Sequence, residues 1–265
     1  MSSLKDKRLF LMDMDGTIYL DETLFDGTLD FLDYVRSIGG RYIFLTNNSS
    51  RGTESYIEKM ARFGIKTGPE DFVTSADATI EYIRNNFGRE TVFYVCGTES
   101  LKTMLRNSDI SISEEPDESV EVVLLGYDTE LSYKKLTDCC RLLNRGCRYI
   151  ATHPDLVCPV SYGFAPDCGS VINMLETATG RRPHVIGKPQ PEMAYLAMKL
   201  TGFKPEETIV TGDRLYTDIA CGVNAGIDSN FVLSGEGTME DIEKYGIRPT
   251  YIFKNIREFL EELKK

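Results

Sequence analysis

The sequence predicts an α/β fold in which helices cover a parallel sheet, and three observations support this. Short, largely apolar runs at residues 9–12, 42–45 and 208–211 are bounded by charged residues, hydroxyl residues or glycine, as is typical of strands buried on both faces. Between the first two runs, apolar residues recur at helical spacing from Leu29 to Ile38 and end at a pair of glycines. A strand, a helix and a strand in this order form a right-handed crossover with parallel strands.

A second alternation of strands and helices fills the middle of the chain. Strands are expected at residues 91–96, 120–125 and 148–152, and helices at residues 132–144 and 170–179. Residues 109–119, which hold several acids and Pro116, are expected to form a loop. The block is long enough to form a second α/β domain.

Composition and charge narrow the classes of function. Hydrophobic residues make up 42% and charged residues 27% of the 265 residues, as in ordinary globular proteins. Lys and Arg number 30 against 41 for Asp and Glu, so the formal charge is −11 at pH 7. Affinity for nucleic acid depends on neutralising many phosphates with basic residues. The balance therefore argues against a nucleic-acid polymer as partner, whereas a small phosphate ester is compatible with it.

The cysteines and the apolar runs bear on location. The seven cysteines, an odd number with no C-x-x-C pair, are expected to be reduced thiols. Residues 1–8 are charged and the apolar run after them is short, so no secretory signal is expected. No apolar stretch approaches the ~20 residues that a spanning helix needs. We therefore expect a cytoplasmic protein that does not enter a membrane; the sequence leaves a homodimer open.

The site is expected to form at the end of the first predicted strand, where Asp13 and Asp15 precede Gly16 and Thr17. In open α/β sheets, ligands bind outside the carboxyl ends of the strands. Two carboxylates one residue apart on a turn can point to the same side, where a cation between them relieves their repulsion. Magnesium is the expected ion, because it is a hard cation that takes oxygen ligands and substrate phosphate. The alternative is a solvated turn.

Polar residues also follow the second predicted strand, at Thr46, Asn47 and Asn48. A threonine hydroxyl and main-chain N–H groups at this place would donate to phosphate oxygens. Capping of the next helix is the alternative, and it explains one of these residues well.

Two later segments carry charge. Lys188 ends a short apolar run between Gly187 and Pro189, although a lone lysine is most often solvated. Asp213 and Asp218 follow the predicted strand at 208–211, in a Gly-Asp-x-x-x-x-Asp segment.

These four segments resemble, in the right order, the four motifs of the haloacid dehalogenase-like (HAD) hydrolases. The resemblance implies a Rossmann-like (HAD-like), doubly wound parallel sheet core with an inserted α/β cap domain. Between the second and third motifs, Thr46 to Lys188, there is room for a whole domain, so we place the cap at residues 79–181 and the discontinuous catalytic core at 1–78 and 182–265. This arrangement resembles the NagD-like or p-nitrophenylphosphatase-like branch of the family.

Members of that branch are magnesium-dependent phosphatases of small esters, such as nucleotide, sugar, glycerol or pyridoxal phosphates. The resemblance implies that Asp13 is the nucleophile and forms an aspartyl-phosphate. It implies that Asp15 is the general acid and base, and that Thr46 and Lys188 bind the phosphoryl group.

The resemblance also implies the metal ligands. Magnesium would be bound by Asp13, by Asp15 through its main-chain carbonyl, and by Asp213. Asp218 would support the water shell of the metal, and capping of the next helix is an equal alternative.

Choice among esters is expected to depend on the cap. His153 and Asp155 follow a predicted strand, and residues 162–170 lead into a helix, so both are loops held by rigid elements. His153 and Asp155, together with Asn47 and Asn48, are the predicted substrate-binding residues of these loops and of the segment after Thr46. His153 stands where many relatives carry Asn. The alternative is that these loops only cap the helix and pack within the cap.

The resemblance leaves three alternatives to a phosphatase. A phosphomutase could use the same aspartyl-phosphate, but the family's mutases of that design carry the cap in the earlier position. A catalytically silent HAD-like binding or regulatory protein would be expected to lose reactive side chains, and all four motifs keep theirs. A dehalogenase would need neither the metal nor the second acid, so Asp15 and Asp213 count against it.

Overall fold

The computed structural model describes residues 3–160 and 162–265 of the chain. The chain divides into two units. The first takes in the chain up to Thr46, Thr53–Val73 and Lys188–Lys265, and the second takes in Asn47–Gly52 and Thr74–Gly187. The predicted cap at 79–181 lies within the second unit, which begins earlier, ends later and also contains the segment just after Thr46.

The strands are named in chain order. They are β1 (Leu9–Met12), β2 (Tyr19–Leu20), β3 (Thr23–Leu24), β4 (Arg41–Thr46), β5 (Phe72–Thr74), β6 (Val92–Cys96), β7 (Ser111–Ser113), β8 (Val120–Leu125), β9 (Arg148–Ala151), β10 (Val157–Val160), β11 (Gly163–Pro166), β12 (His184–Val185), β13 (Thr208–Gly212), β14 (Asp228–Val232) and β15 (Tyr251–Phe253).

The helices are named in the same way. They are α1 (Thr28–Ser37), α2 (Glu54–Arg62), α3 (Ser75–Asn86), α4 (Glu99–Arg106), α5 (Tyr133–Arg145), α6 (Cys168–Thr179), α7 (Glu192–Thr201), α8 (Ala220–Ala225), α9 (Met239–Tyr245) and α10 (Ile256–Leu263). A π-helical turn, Leu215–Ile219, precedes α8. Within the described part of the chain, none of the helices has the length and apolar character needed to cross a bilayer.

The sheet of the first unit has the strand order β15-β14-β13-β1-β4-β5. From β15 to β4, each strand runs parallel to its neighbour. The chain adds β4 and β5 on one side of β1 and β13, β14 and β15 on the other, so the strand order reverses beside β1. This confirms the predicted doubly wound parallel sheet, and such a reversal is where open α/β sheets bind ligands.

The core of the first unit fixes β1 in place. All four residues of β1 are buried, as expected for a strand covered on both faces. The ring of Phe10 packs 5.5 Å from that of Phe31 on α1 and 6.2 Å from that of Phe259 on α10. Full burial of such a side chain stabilises a fold by about 1.5–3 kcal/mol. The end of β1 is therefore a rigid base for the residues that follow it.

The second unit has a parallel sheet of its own, in the order β12-β9-β8-β6-β7, and an antiparallel hairpin, β10-β11. The sheet and its helices confirm the predicted second α/β domain. The prediction of a loop over residues 109–119 is wrong in part, because β7 lies within it and pairs with β6. Acids and Pro116 mark only the turn that follows β7.

Candidate active site

The first site residues meet at the carboxyl ends of β1 and β13. These strands are adjacent, with Met12 opposite Thr211, and the N–H of Asp13 donates to the carbonyl of Thr211 at 2.9 Å. Asp13 and Asp213 are each the first residue after their strand. The strand pairing therefore brings together two acids that are 200 residues apart in the chain.

Lys188 lies between two carboxylates. Its Nζ donates to Oδ1 of Asp13 at 2.7 Å, to Oδ1 of Asp218 at 2.6 Å and to the carbonyl of Leu45 at 3.3 Å. Burial lowers the pKa of Lys188, but attraction by Asp13 and then Asp218 outweighs it and leaves the pKa raised. The ammonium group is therefore charged and held beside Asp13.

Three acids surround this one lysine. One carboxylate oxygen from each of Asp13, Asp213 and Asp218 lies within 4.8 Å of the others, and we call these residues with Lys188 the Asp13 cluster. The pKa of Asp13 is raised to about 8 and that of Asp213 to about 6. Burial is the larger cause of both shifts, and repulsion from Asp218 is the second. The cluster therefore holds more negative charge than one lysine can balance.

The carboxylate of Asp213 shows where a cation would fit. Its Oδ2 accepts the N–H of Glu236 at 2.7 Å. Its Oδ1 is buried and has no hydrogen-bond partner among the described residues. An unpartnered carboxylate oxygen beside other acids is the donor set that a hard divalent cation takes. The residues present therefore fit a divalent metal.

Asp15 lies outside the Asp13 cluster and is exposed. Partial desolvation by its surroundings raises its pKa, while the nearby cations Lys59 and Arg214 oppose the rise. Gly16 turns the chain with φ +81°, and a Cβ at this position would overlap the carboxylate of Asp213. The glycine is therefore required both for the turn and for the close approach of Asp213.

Thr46 ends β4, the other neighbour of β1, and its hydroxyl lies 3.4 Å from the hydroxyl of Tyr56. Asp218 lies in the π-helical turn, where its Oδ2 accepts the N–H of Arg214 at 3.1 Å. Its two oxygens are thus occupied by Lys188 and by the N–H at the start of this turn, and neither the turn nor α8 has a side-chain hydrogen bond from its N-cap residue, so both predicted roles of Asp218 stay predictions.

Comparison with known proteins decides the family. Residues 10–111 match a family model described as haloacid dehalogenase-like hydrolase, and residues 185–259 match one described as HAD-hydrolase-like. An acid sugar phosphatase of Staphylococcus aureus is 35% identical over 262 residues, which are 99% of this chain and 100% of the relative. The chain belongs to the haloacid dehalogenase-like hydrolases. The predicted enzyme class, a phosphoric monoester hydrolase, is confirmed with it.

Solved structures of HAD hydrolases have the same fold over nearly the whole chain. A 4-nitrophenylphosphatase from Thermotoga maritima has a TM-score of 0.90 and 40% identity, and the match covers 98% of each chain. A glycerol phosphate phosphatase from Mycobacterium tuberculosis, in complex with calcium, has a TM-score of 0.89 and 28% identity, covering 97% of this chain and 76% of that one. The predicted NagD-like and p-nitrophenylphosphatase-like branch is confirmed. HAD phosphatases use a divalent metal, in agreement with the fit at Asp213.

In this HAD hydrolase, the predicted residues Asn47 and Asn48 belong to the second unit. The Nδ2 of Asn47 donates to both carboxylate oxygens of Asp155, at 3.1 and 3.2 Å. The Oδ1 of Asn48 accepts from the N–H and the hydroxyl of Ser50, at 2.9 and 2.7 Å. Both side chains therefore hold the conformation of the segment just after Thr46.

His153 lies between two acids. Its side chain is 0% exposed, with Nδ1 3.6 Å from Asp155 and Nε2 3.5 Å from Asp167. Asp167 also caps α6, since its Oδ1 accepts the N–H of Cys168 at 2.5 Å. We call His153, Asp155 and Asp167 the His153 cluster. Its burial means that His153 has no exposed surface with which to contact a substrate directly.

The loop at residues 234–237 is a part of the site that the sequence pattern did not predict. The loop follows β14, whose end lies next to that of β13. It supplies the N–H groups that bind Asp213. Its two glycines after a buried strand are the signal that could have indicated it, by the same strand-end rule that indicated Asp13.

Proposed function

We propose that this HAD hydrolase is a magnesium-dependent phosphatase that hydrolyses small-molecule phosphate monoesters through an aspartyl-phosphate on Asp13. The observation that carries the proposal is the Asp13 cluster. A carboxylate at the end of β1 lies 2.7 Å from a charged lysine and beside a second acid that has a free, buried oxygen. A dianionic phosphate needs such an arrangement, in which cations balance both the phosphate and the attacking carboxylate.

The metal ligands we propose are the carboxylates of Asp13 and Asp213 and the main-chain carbonyl of Asp15. Magnesium is favoured over softer ions because every donor in this set is an oxygen. When bound there, it would neutralise the phosphate oxygens that repel an anionic nucleophile.

The nucleophilic step belongs to Asp13. A carboxylate oxygen forms a bond to phosphorus while the bond to the ester oxygen breaks, which gives the acyl phosphate and an alcohol. Lys188 balances the charge that spreads over the phosphoryl oxygens, and Thr46 donates a hydrogen bond to them. Asp218 keeps the ammonium group of Lys188 in place through the contact at 2.6 Å.

The proton transfers belong to Asp15. Its raised pKa favours the protonated form that a general acid needs at the start of the reaction. The acid gives its proton to the leaving oxygen. As a carboxylate, it then takes a proton from the water that attacks phosphorus, and Asp13 and inorganic phosphate are released.

The substrates we propose are phosphates of sugars and of small polyols, ahead of nucleotide and pyridoxal phosphates. Relatives with nearly full coverage of this chain are named acid sugar phosphatase and glycerol phosphate phosphatase. For Asn47 and Asn48, main-chain N–H groups are the proposed contact with phosphate, because both side chains have protein partners. His153 and Asp155 would act on substrate choice by holding their loop rather than by contact.

A cytoplasmic location is also part of the proposal. All seven cysteines are free thiols, and a reducing compartment keeps thiols in this state.

The test is the release of phosphate from a panel of esters that includes p-nitrophenyl phosphate, in metal-depleted buffer and after addition of magnesium. We expect no turnover with EDTA and full turnover after magnesium is restored. Asp213→Ala should raise the magnesium concentration needed for half-maximal activity by about 10- to 100-fold or more, since ligand and near-ligand changes have effects of this size. Full activity in metal-free buffer would overturn the metal assignment, and no turnover in either buffer would overturn the phosphatase.

A further inference from the structure

The 234–237 loop contacts both sides of the proposed metal site. The N–H of Glu236 donates to Oδ2 of Asp213 at 2.7 Å, and the N–H of Gly237 donates to the main-chain carbonyl of Asp213 at 3.1 Å. The hydroxyl of Ser234 donates to the carbonyl of Gly16 at 2.8 Å. The loop therefore joins the turn after β1 to the turn after β13.

Two glycines leave the carboxylate of Asp213 little freedom. A Cβ at Gly16 or at Gly235 would overlap Oδ2 of Asp213, and a Cβ at Gly235 would also lie 2.7 Å from Cα of Gly16. The carboxylate is thus enclosed by two stretches of main chain that have no side chains at the contact. With Oδ2 bound to an N–H, Oδ1 is the oxygen left for a metal.

The side chain of Glu236 ties the loop to the turn that carries Asp213. Its Oε2 accepts the Nε–H of Arg214 at 2.8 Å, and its Oε1 accepts the hydroxyl of Tyr216 at 3.0 Å. Arg214 is the residue directly after Asp213. The main-chain end of Glu236 therefore holds the carboxylate of Asp213, while its side-chain end holds the segment that follows.

We propose that Glu236 is a positioning residue, which through the 234–237 loop holds Asp213 in the orientation that binds the divalent metal. The role rests on the proposed function, because it assumes that Asp213 is a metal ligand. Partners that orient a ligand raise metal affinity by fixing the ligand before the metal arrives. Glu236 should thus affect the affinity for metal and leave the chemical steps unchanged once metal is saturating.

The first test compares Glu236→Ala with Glu240→Ala. Glu240 lies four residues further on, is also exposed, and has no hydrogen bond or ion pair recorded for its side chain within residues 3–160 and 162–265, so its loss removes the same charge without the contacts. Affinity is measured directly by titration with Mn²⁺, using electron paramagnetic resonance of the free ion. Turnover of p-nitrophenyl phosphate is measured against magnesium concentration.

We expect Glu236→Ala to weaken Mn²⁺ binding by about 3- to 10-fold, at the low end of effects of ligand-orienting partners because the ion pair is partly exposed. The value of kcat at saturating magnesium should change by less than about 2-fold. Glu236→Gln should recover most of the affinity, since its amide oxygen can still accept from Arg214 or Tyr216. Glu240→Ala should match the wild type.

A second variant tests the same role from the main chain. Gly235→Ala places a Cβ against Asp213, so we expect a loss of Mn²⁺ affinity of about 30-fold or more, beyond that of Glu236→Ala. Gly88→Ala is the control, because its nearest new contact, at 3.2 Å, is the flexible side chain of Glu90.

Unchanged Mn²⁺ affinity in Glu236→Ala would overturn the positioning role of Glu236, whatever the result for Gly235→Ala. An equal loss in Glu240→Ala would do so as well, since it would trace the effect to charge alone. Neither result would contradict the proposed function, because the wild-type protein would still be a metal-dependent phosphatase. A wild-type protein that binds no Mn²⁺ would instead overturn the proposed function and the positioning role together.

Discussion

The Asp13 cluster and the His153 cluster look alike as sets of metal-binding groups but differ in what completes them. Each offers three ligand atoms of suitable type within 4.8 Å of one another. In the Asp13 cluster, an oxygen of Asp213 is buried and has no partner among the described residues. In the His153 cluster, Asp155 accepts from Asn47 and Asp167 from the N–H of Cys168, and the buried atoms without a hydrogen-bond partner among the described residues are the two ring nitrogens of His153.

From this difference we infer that the Asp13 cluster serves chemistry and the His153 cluster serves structure. Where acids outnumber the cations of the protein, the missing charge has to come from a bound cation or from protonation. Where both acids already accept from main-chain or amide donors, as in the His153 cluster, the protein itself supplies partners for the carboxylates. The number of ligand-type residues is thus a weaker guide than the number of oxygen atoms left without partners.

The largest effect on turnover is expected from Asp13→Asn. The amide has the shape of the carboxylate but cannot form the acyl phosphate, so phosphate release should fall on the order of 10³-fold or more, as for other nucleophile losses. Release of phosphate and the mass of the trapped phosphoenzyme are the measurements.

Asp228→Asn is the matched control for Asp13→Asn. Asp228 also pairs with a buried lysine, Lys7, at 2.6 Å, but at the start of its strand rather than at the end. Its loss should reduce stability and leave turnover within about 3-fold of the wild type, since a broken buried ion pair costs about 3–5 kcal/mol without touching the site. If Asp13→Asn kept a tenth of the activity, Asp13 would not be the nucleophile.

Asp15→Asn should have a smaller effect that depends on the leaving group. General acid catalysis contributes about 10²- to 10⁴-fold, and most of this is needed when the leaving oxygen is a poor leaving group. Hydrolysis of glycerol phosphate should therefore fall more than hydrolysis of p-nitrophenyl phosphate, as measured by kcat for the two esters. An equal loss for both would reduce Asp15 to a positioning role.

The acids of the Asp13 cluster could be predicted from sequence because a simple rule places them. The carboxyl ends of parallel strands meet at one edge of the sheet; Asp13 and Asp213 come directly after β1 and β13, and Thr46 is the last residue of β4. The role of the 234–237 loop could not be predicted in this way. Its contact with Asp213 is made by the main-chain N–H of Glu236, which every residue except proline supplies, so the identity of Glu236 carries no signal and only the two glycines beside it do.

The strand before that loop was also missed, for a related reason. β14 contains Ser229 and Asn230, which interrupt its apolar pattern although both are buried. The hydroxyl of Ser229 accepts the N–H of Thr250 at 3.2 Å and Nδ2 of Asn230 donates to the hydroxyl of Thr211 at 3.4 Å, while Oδ1 of Asn230 has no partner among the described residues. Such partners come from distant parts of the chain, so a local pattern cannot show them.

Stability without metal should depend on pH in a direction set by the Asp13 cluster. The pKa of Asp13 rises from 3.8 to about 8 and that of Asp213 from 3.8 to about 6, so the folded protein binds protons more tightly than the unfolded chain. The stability that these two acids contribute should therefore be fully present below about pH 4, fall as the pH rises through about 6 and about 8, and level off above that.

Thermal unfolding in EDTA between pH 5 and 8 measures this dependence. The melting temperature should decrease with pH in the wild type and decrease less in Asp13→Asn. Magnesium should reverse the trend, because it binds the ionised acids and stabilises the folded protein by about 2.7 kcal/mol at 100 times its Kd. A melting temperature that rises with pH in EDTA would contradict the excess of buried acid.

The smallest effect on turnover is expected from His153→Asn, which tests the role of the His153 cluster. Asparagine can donate to Asp155 or to Asp167, but its single amide cannot lie near both acids as the two ring nitrogens do, at 3.6 and 3.5 Å. Burial already raises the pKa of Asp167, and His153 opposes that rise. Without His153, the pKa should rise further, so the variant should lose stability as the pH increases, and more steeply than the wild type.

His184→Asn is the control for His153→Asn, because His184 is exposed and stacks on Tyr82, with ring centroids 4.9 Å apart. Melting temperature from pH 5 to 8 and turnover of several esters are the measurements. We expect His153→Asn to change the order of preferred esters while p-nitrophenyl phosphate hydrolysis stays within about 2-fold of the wild type, since this site holds a loop and no reacting atom. A parallel fall for every ester would mean that the His153 cluster serves folding alone. If His153→Asn changed the magnesium concentration needed for activity, the two clusters would not differ in the way inferred here.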